Sequence, residues 1–242
     1  MFYLEKNKLE HSVTDWPAFY CEQAANAAYP ALKAFYQAGC QLPDTPLEQV
    51  QMVALDLETT GLDVNKHSIV SIGLVPFTSK RIFLSQAKYW VVKPVSQLND
   101  NSVVIHGITH SEIETAQDLS FILDEFLTEI SGKIVVAHYA NIEKSFLKRA
   151  FIHRINEGIQ FPVIDTMSLE AKICRYRPLS WWDKLKGKQA VSLRLSDARN
   201  RYHLPYYKPH HALTDALACA ELLQAQIAYT QKEQIYLADI WE

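Results

Sequence analysis

The stretch VALDLETTG, residues 53 to 61, sets Asp56 and Glu58 two positions apart after an apolar approach, Met52-Val53-Ala54-Leu55. Side chains alternate across a strand, so residues at i and i+2 point to one face. Neighbouring carboxylates repel, and burying them unpaired is costly. A positive charge therefore belongs between them. Two more acids occupy suggestive places: Glu143, in the first turn of the helix predicted after KIVVAHY, and Asp215, five residues after His210 in the last helical segment. Strand ends and helix starts are where α/β folds collect ligands. A cluster of four carboxylates can hold two divalent cations about 3.5–4 Å apart, an arrangement used for in-line attack on phosphodiesters. Hard oxygen ligands favour Mg²⁺ or Mn²⁺ over zinc. A nearby histidine can take the proton of an attacking water, because its intrinsic pKa lies near working pH.

Regular elements must position these groups. MVALDLETTG, SIVSIGLVPF and KRIFLSQAKYWVVKP are three β-rich runs separated by short polar turns, which predicts an antiparallel meander. SEIETAQDLSFILDEFLTEISG has helical patterning and stops at Gly132. KIVVAHY reads as a buried strand, after which Asn141 can cap the helix IEKSFLKRAFIHRI, with apolar residues at 142, 146, 147 and 151. FPVIDT reads as another strand, and SLRLSDARNRYH and HALTDALACAELLQAQIAY as closing helices. Upstream, EQAANAAYPALKAFYQAG is helical, and the two prolines of QLPDTPLEQ mark a linker. Three strands followed by alternating helix and strand give an α/β mixed sheet with helices on its faces.

Composition sets bounds on this picture. The 242 residues are 48% hydrophobic and 21% charged, enough for one sizeable core plus an appendage. No apolar run is long enough to span a bilayer, no membrane role is expected, and the amino-terminal MFYLEKNKLE lacks a signal-peptide core; a cytoplasmic location is the default expectation. Cys21, Cys40, Cys174 and Cys219 have no metal-finger spacing and read as buried free thiols. Residues 172–208 hold ten Lys/Arg against Asp183 and Asp197, a local charge of +8 that leaves −11 elsewhere in a chain of net charge −3. Such polarity fits either a site for an anionic partner or a well-solvated basic face. Trp181 and Trp182 inside it can stack on bases or pack a loop onto the core, and Tyr206 and Tyr207 are similarly open. Neither a P-loop nor a GxGxxG occurs, which argues against a nucleotide-fuelled enzyme.

The motifs in their order resemble those of the DnaQ-like, or DEDDh, 3′–5′ exonucleases of the RNase H-like superfamily, including the exonuclease domain of the proofreading subunit of bacterial DNA polymerase III. DLETTG (56 to 61) is similar to the first motif, VVAHYANIEKSFL (135 to 147) to the second and HHALTDA (210 to 216) to the third, with IHGIT (105 to 109) and VIDT (163 to 166) also fitting. The resemblance covers roughly residues 50 to 228 and implies an RNase H-like mixed sheet, antiparallel strands first and parallel ones after, flanked by helices. It divides the chain into an amino-terminal helical extension and linker, 1–45, and an exonuclease domain, 46–242. It implies that Asp56, Glu58, Glu143 and Asp215 ligate two Mg²⁺ or Mn²⁺ ions per active site and that His210 is the general base. Thr59, Gly61 and Leu62 match the loop receiving the 3′-terminal nucleotide, and His106 and His138 match residues near its phosphate and sugar.

The implied reaction is metal-dependent hydrolysis of the 3′-terminal phosphodiester of DNA or RNA, releasing nucleoside 5′-monophosphates. Single-stranded DNA is the favoured partner, with RNA open. The alternative is a catalytically weak or inactive module of the same fold that binds nucleic acid or a protein, with the amino-terminal helices as a protein-docking surface. Retention of a carboxylate at every acid position and of His210 favours the enzyme. One departure stands out: the second motif normally ends in Asp where this chain has Glu143, one methylene longer, which bears on the second cation. Asp165 reads as a strand-end cap in preference to a supporting contact of the site.

Overall fold

A computed structural model of the chain describes residues 13, 15–95, 108, 110–174, 191–231 and 233–242. His106, Trp181, Trp182 and residues 175–190 of the basic stretch lie outside the described residues. The core element is a six-stranded sheet: β1 (Met52–Thr59), β2 (Ile69–Phe77), β3 (Lys88–Lys93), β4 (Gln117–Asp118), β5 (Ile134–Ala137) and β6 (Val163–Asp165), in the spatial order β4-β3-β2-β1-β5-β6. β1 pairs antiparallel with β2, and β2 with β3; β5 runs parallel to β1, and β6 to β5. The expected switch from an antiparallel meander to parallel strands is what the register shows.

Alternation along β1 divides the core into two halves. Val53, Leu55 and Leu57 face a layer containing Phe126 from α4 (Leu123–Ile130) and Phe146, Leu147 and Phe151 from α5 (Asn141–Ile155). Met52 and Ala54 face the opposite layer, where Ala216, Cys219, Ala220 and Leu223 of the helix Ala212–Thr230 pack. Asp56 and Glu58 continue this second face, so the strand's apolar half anchors it and its last turns aim two acids at the start of that helix. Small residues on the helix let it lie close. Gly73 lies opposite Asp56 in the β1–β2 register, and a Cβ there would come within 2.3 Å of the Ala212 carbonyl oxygen. The glycine is thus a packing requirement at the helix start.

The amino-terminal segment forms α1 (Trp16–Asn26) and α2 (Pro30–Gln37), two helices where the sequence suggested one continuous run. Pro30 makes the break: it opens α2 in the first turn, where its missing N–H costs nothing, and holds Tyr29 in extended backbone. Glu157 then accepts the amides of Ala28 and Tyr29 at 2.8 and 2.7 Å, and the Tyr29 hydroxyl donates to Asp124 at 2.7 Å. Trp16, Tyr20, Phe35 and Tyr36 are buried in the same apolar cluster as the sheet. These aromatic side chains are thus covered by the chain's own body.

Several local expectations need correction. QLPDTPLEQ is no free tether: Leu47 is buried and its amide donates to the Ile235 carbonyl at 2.9 Å. The run 80–94 contributes strand only at Lys88–Lys93, with a 3₁₀ turn at Leu84–Gln86 before it. The helical run 111–132 is interrupted by β4, leaving α3 (His110–Thr115) and α4 on either side. Asn141 is the first helical residue of α5 and Ala140 precedes it as an N-cap without a side-chain bond. Of the four thiols only Cys219 is fully buried, and Cys21 is exposed.

Replacing Gly73 by Ala should destabilise the fold by about 1–3 kcal/mol, the usual cost of overpacking against backbone that cannot retreat. A urea midpoint falling without a change of slope would show it; an unchanged midpoint would mean the helix start has room to move.

Candidate active site

Three elements deliver the acids. Asp56 and Glu58 end β1, beyond the point where β5 pairs with it. Asp215 sits in the first turn of α8 (Ala212–Thr230); α6 (Thr166–Ile173) and α7 (Leu195–Arg201) precede it. Glu143 sits in the first turn of α5 and is only 5% exposed. Glu58, His210 and Asp215 offer ligand atoms that all lie within 4.8 Å of one another. Asp56 and Glu143 adjoin this group electrostatically. Burial holds the Asp56 carboxyl well above the usual carboxylate range, and the charges of Glu58, Glu143 and Asp215 push it further. Burial likewise raises Glu143 to about 8, with the Asp165 and Glu58 charges adding to the effect against its own backbone N–H. Asp215 is raised mainly by burial, against the amide of His210, which donates to its Oδ2 at 2.7 Å.

The start of α5 is fixed from outside the helix. Asp165 accepts the amides of Tyr139 (3.0 Å) and Ala140 (3.1 Å), and also those of Met167 (2.8 Å) and Ser168 (3.4 Å) at the start of α6. One carboxylate therefore caps α6, as the sequence suggested, and holds the chain just ahead of Glu143, which it did not. Tyr139 (φ 75°) and His210 (φ 71°) are both left-handed and non-glycine. Such residues cost of order 1–3 kcal/mol each and persist where surroundings over-determine them. Here each amide is caught by an acid, Asp165 for one and Asp215 for the other.

The two adjacent histidines have different surroundings. His211 is the N-cap of α8, its ring accepting from the Thr214 amide at 3.4 Å and stacking on Tyr89 with centroids 4.7 Å apart. His210 is exposed and lies at the acids. Among the nucleotide-loop residues, Thr59 donates its hydroxyl to the Gly61 carbonyl at 2.9 Å, and a Cβ on Gly61 would lie 2.6 Å from the His67 ring. Leu62 projects from this turn at 69% exposure. The His138 Nε2 meets the Leu193 carbonyl and its Nδ1 the Thr166 hydroxyl, both at 2.8 Å. Because the carbonyl can only accept, Nε2 carries the proton, and burial lowers the ring's pKa so that the neutral form prevails. Both nitrogens thus bond within the protein's own frame.

In the basic stretch, Arg199 pairs with Glu221 at 2.7 Å and Arg201 with the fully buried Glu170 at 2.8 Å. Two of the ten positive charges are therefore paired with acids of the fold itself, Arg199 buried and Arg201 at the surface. Tyr206 and Tyr207 also part company, the first 80% exposed and the second bonded to Glu221. Sequence reasoning missed Gly73, Tyr89 and the partners of Arg199; only Gly73, a glycine inside a strand pattern, carried a signal of close backbone approach.

The donor set suits a divalent cation. Among the described residues, Glu143 Oε2 is a buried carboxylate oxygen with no hydrogen-bond partner, beside three further acids. Oxygen-rich sites of this kind suit Mg²⁺ or Mn²⁺.

Comparison with known proteins gives a consistent result. The profile of the RNase T exonuclease family matches residues 53–223. The PolC-type DNA polymerase III of Thermotoga petrophila is 30% identical over 181 residues, covering 74% of this chain and 12% of that polymerase. The DNA polymerase III subunit epsilon of Treponema pallidum is 26% identical, covering 77% of this chain and 80% of its own. The crystallographic nuclease domain of 3′hExo, a DEDDh family member bound to rAMP, superposes with a TM-score of 0.59 at 14% identity, covering 77% of this chain and 95% of its own. That likeness places the mixed sheet among RNase H-like exonuclease folds.

A pH effect follows from Glu143. A carboxyl with its folded pKa raised from 4.5 to about 8 keeps its proton in the folded chain while the unfolded chain has lost it. Stability of the metal-free protein should therefore fall as pH rises from about 4.5 to about 8. Glu143→Gln should flatten that decline and leave the metal-free protein more stable than the parent at pH 8, measured by thermal unfolding in chelator. A parent whose stability rises across this range would contradict the burial of this acid.

Proposed function

Because the chain belongs to the RNase T exonuclease family, we propose that it removes nucleotides from the 3′ end of a nucleic acid strand, releasing nucleoside 5′-monophosphates with the help of divalent cations. The observation that carries this reading is the convergence of Asp56, Glu58, Glu143 and Asp215 with an exposed His210 beside them. Asp56, Glu58, Glu143 and Asp215 would hold the ions, which when bound supply charge stabilisation for the phosphoryl oxygens and lower the pKa of a water. A ring nitrogen of His210 accepts the proton of the attacking water as its oxygen bonds to phosphorus and the bond to the 3′ oxygen breaks. Thr59 and Gly61 shape the turn that receives the terminal nucleotide, and the exposed Leu62 offers an apolar surface to its base.

Single-stranded DNA is the substrate we favour, supported by the DNA polymerase III names of the relatives. The chain spans 12% of the first of these and 80% of the second. His138, which matches a residue near the terminal nucleotide's phosphate and sugar, is proposed as a positioning residue that ties the Leu193 segment to the end of β5.

The direct test is digestion of a labelled single-stranded oligonucleotide, with products identified as 5′-mononucleotides taken from the 3′ end. Activity should vanish in excess chelator and in Asp56→Asn or Asp215→Asn, and return to the parent with Mg²⁺ or Mn²⁺. His210→Ala should lower turnover by roughly 10²–10⁴-fold, the usual worth of a positioned general base. His211→Ala should act mainly on stability, by about 0.5–2 kcal/mol for the lost helix cap. Equal effects on turnover would overturn the assignment of the base, and full activity in chelator would overturn the metal reading.

A further inference from the structure

The loop between α7 and α8, residues 202–211, carries His210 and has no regular structure of its own. Behind it sits Arg199, only 3% exposed, whose guanidinium faces two elements at once. Its Nη1 donates to the Ala218 carbonyl at 2.7 Å and its Nη2 to Glu221 Oε2 at 2.7 Å, both on α8. The same Nη2 donates to the Pro205 carbonyl at 2.8 Å, on the loop. The Tyr207 ring lies under the guanidinium, 4.6 Å from its carbon, and its hydroxyl donates to Glu221 Oε1 at 2.9 Å. Both Glu221 oxygens and the arginine fork are thus committed to one clasp.

Its partners share a frame with the catalytic acids. Ala218 and Glu221 follow Asp215 on one helix, at three and six residues. Tyr207 precedes His210 by three residues, and the His210 amide is itself held by Asp215. The loop is therefore fixed to α8 at both ends, by the clasp at Pro205 and Tyr207 and by Asp215 at His210. Arg199 belongs to the stretch whose charge suggested nucleic acid, yet its charge is neutralised here and its donors face inward.

We propose that the Arg199–Glu221–Tyr207 clasp is a positioning device for His210, setting the register of the proton-accepting ring against Asp215. This rests on the proposed exonuclease reading for its catalytic consequence, while its geometric content stands apart from it. A guanidinium suits the task because its planar fork engages a carboxylate, two carbonyls and a ring face together, which an ammonium cannot do.

The test uses Tyr207→Phe and Glu221→Gln, which loosen the clasp without removing bulk, each made in the parent and in His210→Ala. In the parent, kcat on a single-stranded oligonucleotide should fall roughly tenfold to a hundredfold with KM little changed, as expected for a group displaced on the order of 1 Å. In His210→Ala the same substitutions should cost nothing more. Equal fold-losses in both backgrounds, or none in the parent, would overturn the proposal. A second reading does not depend on turnover: the His210 ring-proton resonance should shift in Tyr207→Phe while that of His138 stays in place. An unmoved His210 resonance overturns the clasp, whereas a shifted one in a protein without metal-dependent hydrolysis keeps the clasp and overturns the exonuclease reading.

Discussion

The repulsion among Asp56, Glu58, Glu143 and Asp215 is the constraint around which the rest of the molecule is arranged. Like charges about 4 Å apart interact unfavourably by about 4 kcal/mol at an effective dielectric near 20. Burial is the larger cause of the strong hold of Asp56 and Glu143 on their protons, and neighbouring acids add to it. No such cluster forms unless the elements carrying it are fixed by something else. β1 is clamped between β2 and β5 with its apolar residues buried on both faces, so its two acids have no freedom to part. α8 is pressed against β2 at Gly73, which sets the height of Asp215. α5 is held at its start by Asp165, which sets the reach of Glu143. Offsetting that repulsion falls to core packing and to hydrogen bonds several residues from the acids.

This arrangement separates groups that look equivalent in the sequence. His210 and His211 are neighbours, yet one is stacked and capping while the other faces the acids. Tyr206 and Tyr207 divide into an exposed ring and a clasped one. Arg199 and Arg201 belong to a basic stretch but neutralise Glu221 and Glu170. Glu170 shows how far such neutralisation goes: with no exposed surface it accepts from Arg201, Tyr202, Gln226 and Cys174, joining α6 to α7 and α8. Breaking a buried pair of this kind by removing one partner leaves an uncompensated charge and is strongly destabilising.

Much of the site was legible because its residues lie within short motifs whose local geometry follows from period. The i, i+2 spacing of Asp56 and Glu58 on a strand fixes a shared face whatever the rest of the fold does. The antiparallel meander was legible from the same alternation, and the parallel strands after it from the family resemblance. Longer-range contacts were not. Nothing local to Asp165 says that it will reach Tyr139, 26 residues away, and nothing local to His138 says that Leu193 will occupy its ring. The break at Pro30 went unread although it follows from proline chemistry, whereas the two residues of β4 inside a helical pattern depend on pairing with β3. Tertiary context overrides propensity most easily in such short segments.

Folding gathers these acids at a cost in repulsion that a divalent cation relieves. Proton release on metal binding measures this most directly. Mn²⁺ added to the metal-free protein in weakly buffered solution near neutral pH should displace protons held by Asp56 and Glu143, and its affinity should rise with pH up to about 8. Binding that releases no protons and has the same affinity from acidic to alkaline pH would contradict the account.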